Sequence, residues 1–139
     1  MDKTPQLRGL ANISFYAADH EAAKQWYTQL LGMPPYFELP GYAEFRIGDY
    51  THELGLIDSR YAPGGPSHGP GGAILYWHVD DVSAMLERLI SLGAKPFEPE
   101  IVRGGGFITA SVVDPFGNVL GIIYSPHYVE VLAAAHKPA

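Results

Sequence analysis

Apolar residues recur at helical spacing in two stretches of the chain. In "DHEAAKQWYTQLLG" the positions Ala22, Ala23, Trp26, Tyr27, Leu30 and Leu31 share one stripe, with Asp19 as N-cap and Gly32 as stop. In "DDVSAMLERLISLG" the stripe is Val82, Met85, Leu86, Leu89 and Ile90, with an Asp start and Gly93 as stop. Period-two alternation marks a strand just before each helix, "NISFYA" (12–17) and "AILYWHV" (73–79). A Pro-aromatic stretch follows each helix, "PPYFE" and "KPFEP". A hairpin then closes each half: "YAEFRIGD" into "ELGLID", and "FITASVVD" into "VLGIIY".

These elements are written twice. Glu53-Leu54-Gly55-Leu56-Ile57 superposes on Val119-Leu120-Gly121-Ile122-Ile123 at an offset of 66, and the helix-ending glycines 32 and 93 lie 61 apart. Internal repetition decides the fold before any motif does. The chain is predicted to be one α+β domain (1–139) made of two β-α-β-β-β modules. Module one covers about 8–60 and module two about 73–126, joined by the Gly/Pro-rich linker 61–72. A C-terminal arm, 127–139, follows; its apolar Tyr128, Val131 and Leu132 are expected to cover a neighbouring surface.

Alternation also sorts each strand into two faces. The face turned to the helices takes Ile13, Phe15 and Ala17, then Phe45, Ile47, Leu54 and Leu56, and their second-half counterparts Leu75, Trp77, Val79, Ala110, Val112, Leu120 and Ile122. The opposite face carries Asn12, Ser14, Tyr16, Tyr42, Glu44, Arg46, Glu53 and Gly55 in the first half. In the second half it carries Ile74, Tyr76, His78, Phe107, Thr109, Ser111 and Gly121. Aromatic, hydroxyl and charged groups mixed with glycine describe a small-molecule cleft, although a partly solvated sheet or a dimer contact has a similar pattern. A glycine inside a strand marks a bulge or a close approach. Gly121 therefore predicts a bulge or something lying against the strand.

Composition narrows the chemistry. The formal charge of −6 argues against nucleic acid, which requires a basic surface. The absence of cysteine excludes disulfides, thiolate zinc sites and thiol nucleophiles. No apolar run reaches signal-peptide or membrane-spanning length, so a cytoplasmic protein without membrane partners is expected.

With its paired modules, "FYAADHEAAKQWYTQLLG" in the first and "VVDPFGNVLGII" in the second, the chain resembles the vicinal oxygen chelate superfamily over about 8–126. That superfamily includes glyoxalase I, extradiol dioxygenases, fosfomycin-resistance enzymes and bleomycin-resistance proteins. The resemblance implies curved mixed sheets around a cleft, usually in a homodimer. Its catalytic members hold a divalent metal with up to four inward residues. The matching positions here are Asn12, Gly55, Ile74 and Gly121, and two glycines and an isoleucine offer no donor side chain. The resemblance therefore implies that the usual metal site is missing, that no cofactor is expected, and that a bound molecule occupies the space against Gly121. A displaced site on Glu53 and His78 is the alternative, although residues two or four apart on a strand stand roughly 7 to 14 Å apart.

Two readings stay open. One is a metal-free binding protein that sequesters a bulky aromatic or cationic compound such as an antibiotic. Tyr16, Tyr42, Tyr76 and Phe107 would stack on it, and Glu44, Arg46, Glu53 and His78 would orient its polar groups. The other is a lyase, isomerase or dioxygenase that uses Glu53 or His78 as general base.

Overall fold

The computed structural model describes residues 4–8, 10–65 and 69–136. Its first half runs β1 (Asn12–Ala17), α1 (His20–Leu31), β2 (Phe37–Leu39), β3 (Tyr42–Ile47) and β4 (His52–Asp58). The second half repeats that order as β5 (Leu75–His78), α2 (Val82–Ser91), β6 (Lys95–Gly104), β7 (Phe107–Val113) and β8 (Val119–Tyr124). A last helix, α3 (Pro126–Ala135), follows. Each half builds one four-stranded mixed sheet, ordered β1-β4-β3-β2 and β5-β8-β7-β6. The β1–β4 and β5–β8 pairs are parallel and the other pairs antiparallel. The architecture is α+β, and neither sheet closes into a barrel. Pro66–His68 of the linker and Lys137–Ala139 of the arm lie outside the described residues.

Local chemistry explains the helix limits. The Asp19 side chain accepts from the Ala22 amide at 3.0 Å, and Gly32 takes a left-handed φ of +71° while its N–H bonds to Thr28 O. Of the two aspartates before α2, the second is the cap, since Asp81 accepts from the Ala84 amide at 3.0 Å. Each cap satisfies an amide that the first helical turn leaves without a partner.

Strand alternation then separates the core from the open faces. Phe15, Phe45, Leu54 and Leu56 of the first sheet are buried with Ala23 and Tyr27 of α1. Val112, Leu120 and Ile122 of the second sheet are buried with Val82 and Leu89 of α2. Full burial of such a side chain stabilises by about 1.5–3 kcal/mol, so the helix-facing side of each sheet holds the fold and its other side is left for chemistry.

The two modules are joined at their helices and at the turn between β7 and β8. Asp114, which opens that turn, is buried and accepts from the amides of Phe116 (2.9 Å) and Asn118 (2.8 Å). It also accepts from the buried Tyr27 hydroxyl of α1 at 2.5 Å. Asn118 Nδ2 reaches the Tyr16 carbonyl on β1 at 3.0 Å, and the Trp26 indole donates to Leu92 O at 2.7 Å. Burial, with the adjacent Asp114, holds the Tyr27 phenol well above its ordinary pKa, so it stays a donor. The Asp-Pro-x-Gly-Asn stretch is thus a clamp between modules.

Two sequence expectations needed adjustment. The ladder of β5 covers Leu75–His78, shorter than 73–79, and the Pro-aromatic stretch after α2 grows into the ten-residue β6. Its counterpart β2 has three residues.

Candidate functional site

Strand register gathers the sequence-predicted residues into two clusters, one on the open face of each sheet. In the first, Ser14 of β1 and Glu44 of β3 both flank Gly55 of β4, while Arg46 stands opposite Glu53. Tyr16 and Tyr42 lie one step further along, on either side of Ile57. In the second, Tyr76 of β5 and Ser111 of β7 flank Gly121 of β8, and His78 and Thr109 flank Ile123. Among the described residues no hydrogen bond or ion pair joins one cluster to the other. The bonds between modules run instead through Tyr27–Asp114, Trp26–Leu92, Arg88–Gln29, Asn118–Tyr16 and Tyr128–Asp49.

The space over the two glycines is taken by tyrosine. A Cβ built on Gly121 would stand 2.6 Å from Tyr76 Cδ1 and 3.0 Å from Ile74 Cγ2. A Cβ on Gly55 would stand 3.0 Å from Tyr42 Cε1 and 3.3 Å from Ser14 Oγ. Gly121 is thus approached by the ring of its own cross-strand partner, where a bound molecule was expected. Glycine suits the position because a Cβ would press on the Tyr76 ring. The side chains at Asn12, Gly55, Ile74 and Gly121 do not fit a divalent cation, since one amide is their whole donor set. Among the described residues, no three His, Asp or Glu side chains group closely enough to hold a metal.

Four polar side chains on the first face, Tyr42, Glu44, Arg46 and Glu53, are already paired. The Tyr42 hydroxyl donates to Glu44 at 2.6 Å, and Arg46 lies 3.8 Å from Glu53 and 3.9 Å above the Tyr36 ring. Burial, then the hydrogen bond and the charges of Glu44 and Glu53, push the Tyr42 phenol up to about 12. It remains a neutral donor that leaves Glu44 negative charge to offer a ligand.

The second face differs from its expected lining in two places. Ser111 is fully buried; its Oγ accepts from the Glu98 amide at 3.1 Å and contacts Glu98 Oε1 at 3.3 Å, which removes it from any ligand surface. His78 lies beneath α3. Its Nδ1 accepts from the Ser125 amide at 3.1 Å, and its ring stacks on Tyr128 with centroids 4.5 Å apart and planes 9° from parallel. Tyr76 is 37% exposed and remains the main aromatic surface of this face.

Sequence reasoning missed the edge strands. Arg103 of β6 donates to Thr109 Oγ1 at 3.0 Å and stands 3.8 Å from Glu98. Phe37 of β2 meets Tyr42 with ring centroids 6.4 Å apart. Between Glu98 and Ile101 three steps of β6 oppose two steps of β7, so the alternation reverses and cannot assign faces. A separate open depression of about 620 Å³ lies at the start of α1, lined by Asp19, His20, Asp58 and Arg60 among others. Its polar groups already have partners: Asp58 pairs with Arg60 at 2.9 Å, His20 Nε2 contacts Leu56 O at 2.9 Å, and Asp19 caps α1.

Comparison with known proteins places these faces in context. The model of the Glyoxalase/Bleomycin resistance protein/Dioxygenase superfamily matches residues 9–122. A glyoxalase-related enzyme from Fulvimarina pelagi is similar in structure, with TM-score 0.72 and 23% identity over 86% of this chain and 90% of its own. Protein ATC0852 from Agrobacterium tumefaciens has TM-score 0.71 and 21% identity over 85% and 98%. A lactoylglutathione lyase from the same organism has TM-score 0.67 and 22% identity over 87% and 96%. No curated protein matches the chain.

Proposed function

Because the chain belongs to the glyoxalase/bleomycin resistance protein/dioxygenase superfamily, we propose that it is a metal-free binding protein for a flat aromatic or cationic small molecule. The observation that carries this reading is the pair of tyrosine rings laid over Gly55 and Gly121. Each ring covers a position where metal-binding relatives place a ligand, and each is an aromatic surface on which a planar molecule stacks. Glu44, whose carboxylate meets the Tyr42 hydroxyl, is the group to receive a positive charge. An antibiotic is one class of compound with this shape and charge.

The functional unit in this reading is a homodimer. Phe37 and Leu39, on the outermost strand of the first sheet, pair with Glu44 and Tyr42 and so share the open face, and they are 46% and 56% exposed. A second copy laid over the open faces would cover such residues and turn each open face into a cleft. Sedimentation should then give about twice the chain mass of 15.1 kDa.

The test combines metal analysis of protein purified without chelators with titration by planar aromatic cations and neutral analogues of equal size. Stoichiometric binding without turnover is expected, weakened at least tenfold by Tyr76→Ala and, for the cations alone, by Glu44→Gln. Stoichiometric metal together with turnover that Glu53→Gln abolishes would establish the enzymatic reading instead.

A further inference from the structure

We propose that α3 is a strap whose closure over His78 requires the neutral imidazole, so that protonation of His78 releases the helix. The contact that makes closure depend on charge is the Ser125 N–H donating to His78 Nδ1 at 3.1 Å. That bond places a lone pair on Nδ1 and the ring proton on Nε2. A second proton must go to Nδ1, where it faces the Ser125 N–H with no acceptor between them. Ser125 is the N-cap of α3, its Oγ accepting from the Tyr128 amide at 3.1 Å, so losing this anchor loosens the first turn.

Little else holds the strap. None of its residues is buried. Its main side-chain anchor is Tyr128, stacked on the imidazole and donating to Asp49 Oδ2 of the β3–β4 turn at 2.6 Å. Tyr50 meets the Tyr128 ring edge-on at 5.7 Å, and Pro126 packs against Gly106. An element with so few buried contacts opens locally before the fold does.

Three titratable groups face the imidazole. Asp80, just after β5, has Oδ1 at 3.8 Å from Nε2; Tyr124 of β8 has its ring centroid at 5.3 Å; Tyr128 of α3 lies stacked upon it. Asp80 attracts the charged ring, but its side chain is fully exposed and water screens it. It also meets Nε2, which carries a proton in both states, so it does not replace the bond lost at Nδ1. Tyr128, pushed up to about 12 by burial and the bond to Asp49, stays a neutral donor. The Tyr128 face attracts an imidazolium, but it makes that contact only while the strap is closed against two opposed N–H groups. Opening uncovers His78 on the same open face as Tyr76. Acid would therefore expose an imidazolium at one end of that face.

Hydrogen exchange on the full chain, corrected for the intrinsic pH dependence of each amide, tests this. Between pH 7.5 and 5.5 the protection of the Tyr128 and Val129 amides should fall about tenfold, the worth of one such bond. Amides of Val112 and Leu120 in the core should not change. His78→Asn, which keeps an acceptor near the Nδ1 position but does not titrate, should abolish the response. In the wild-type protein at pH 7.5, imidazole nitrogen shifts should show Nδ1 without a proton. Protection of α3 that is flat with pH, an unaltered response in His78→Asn, or a protonated Nδ1 at pH 7.5 would each overturn the proposal.

Discussion

Gly121 and Gly55 are the residues whose identity depends most on a neighbour. Each is glycine because a tyrosine ring from an adjacent strand lies across it, yet the two sites differ in tightness. Gly121→Ala forces Tyr76 and Ile74 aside and should cost about 1 kcal/mol, at the low end for overpacking because the Tyr76 ring is partly free to move. Gly55→Ala needs a shift of only a few tenths of an ångström and should cost less; denaturant unfolding ranks the two. Combining Gly121→Ala with Tyr76→Ala should relieve the clash, so the pair should be non-additive. The tyrosines also set a pH limit. The Tyr42 and Tyr128 phenols are raised from about 10 to about 12, so the stability they contribute is fully present below pH 10. It is lost as pH rises from 10 through 12. Alkaline spectrophotometric titration should show a late phase, smaller by one tyrosine in Tyr42→Phe and again in Tyr128→Phe.

Helices and paired strands were legible because their signals are local. A stripe, an Asp cap and a terminal Gly lie within fourteen consecutive residues, and the structure uses Asp19, Asp81 and Gly32 in the expected roles. Asp19→Ala and Asp81→Ala should each lower stability by about 1 kcal/mol in thermal melts, with no change in the open faces. β6 was not legible to the same degree. Pro96 and Pro99 interrupt its ladder, its register shifts near both, and a bulge reverses which side chains face the open side. Glu98 and Arg103 therefore escaped notice, and with them the reason Ser111 is closed to a ligand.

At the scale of the whole molecule the two modules share one apolar cluster and a small set of polar contacts, with the buried Asp114 carboxylate at their centre. Tyr27→Phe should cost about 1.5–3 kcal/mol, as expected for a hydrogen bond to a charged group whose loss leaves a buried carboxylate short of one donor. Chemical denaturation should show the loss, and the melt should broaden if the modules then unfold separately. The turn motif that carried the family resemblance thus has a mechanical role, which its sequence neighbours do not reveal because Tyr27 lies 87 positions away. By itself the sequence determined the duplication, the helices with their caps and, β6 excepted, which side of the strands enters the core. These follow from short periods and from residue chemistry at single positions. Tertiary structure alone decided that tyrosine rings fill the space above the two glycines, that Ser111 is sealed by β6, and that α3 covers His78. Each of these joins residues through strand register or a returning chain end, and side-chain contacts of that range leave no periodic trace in the sequence.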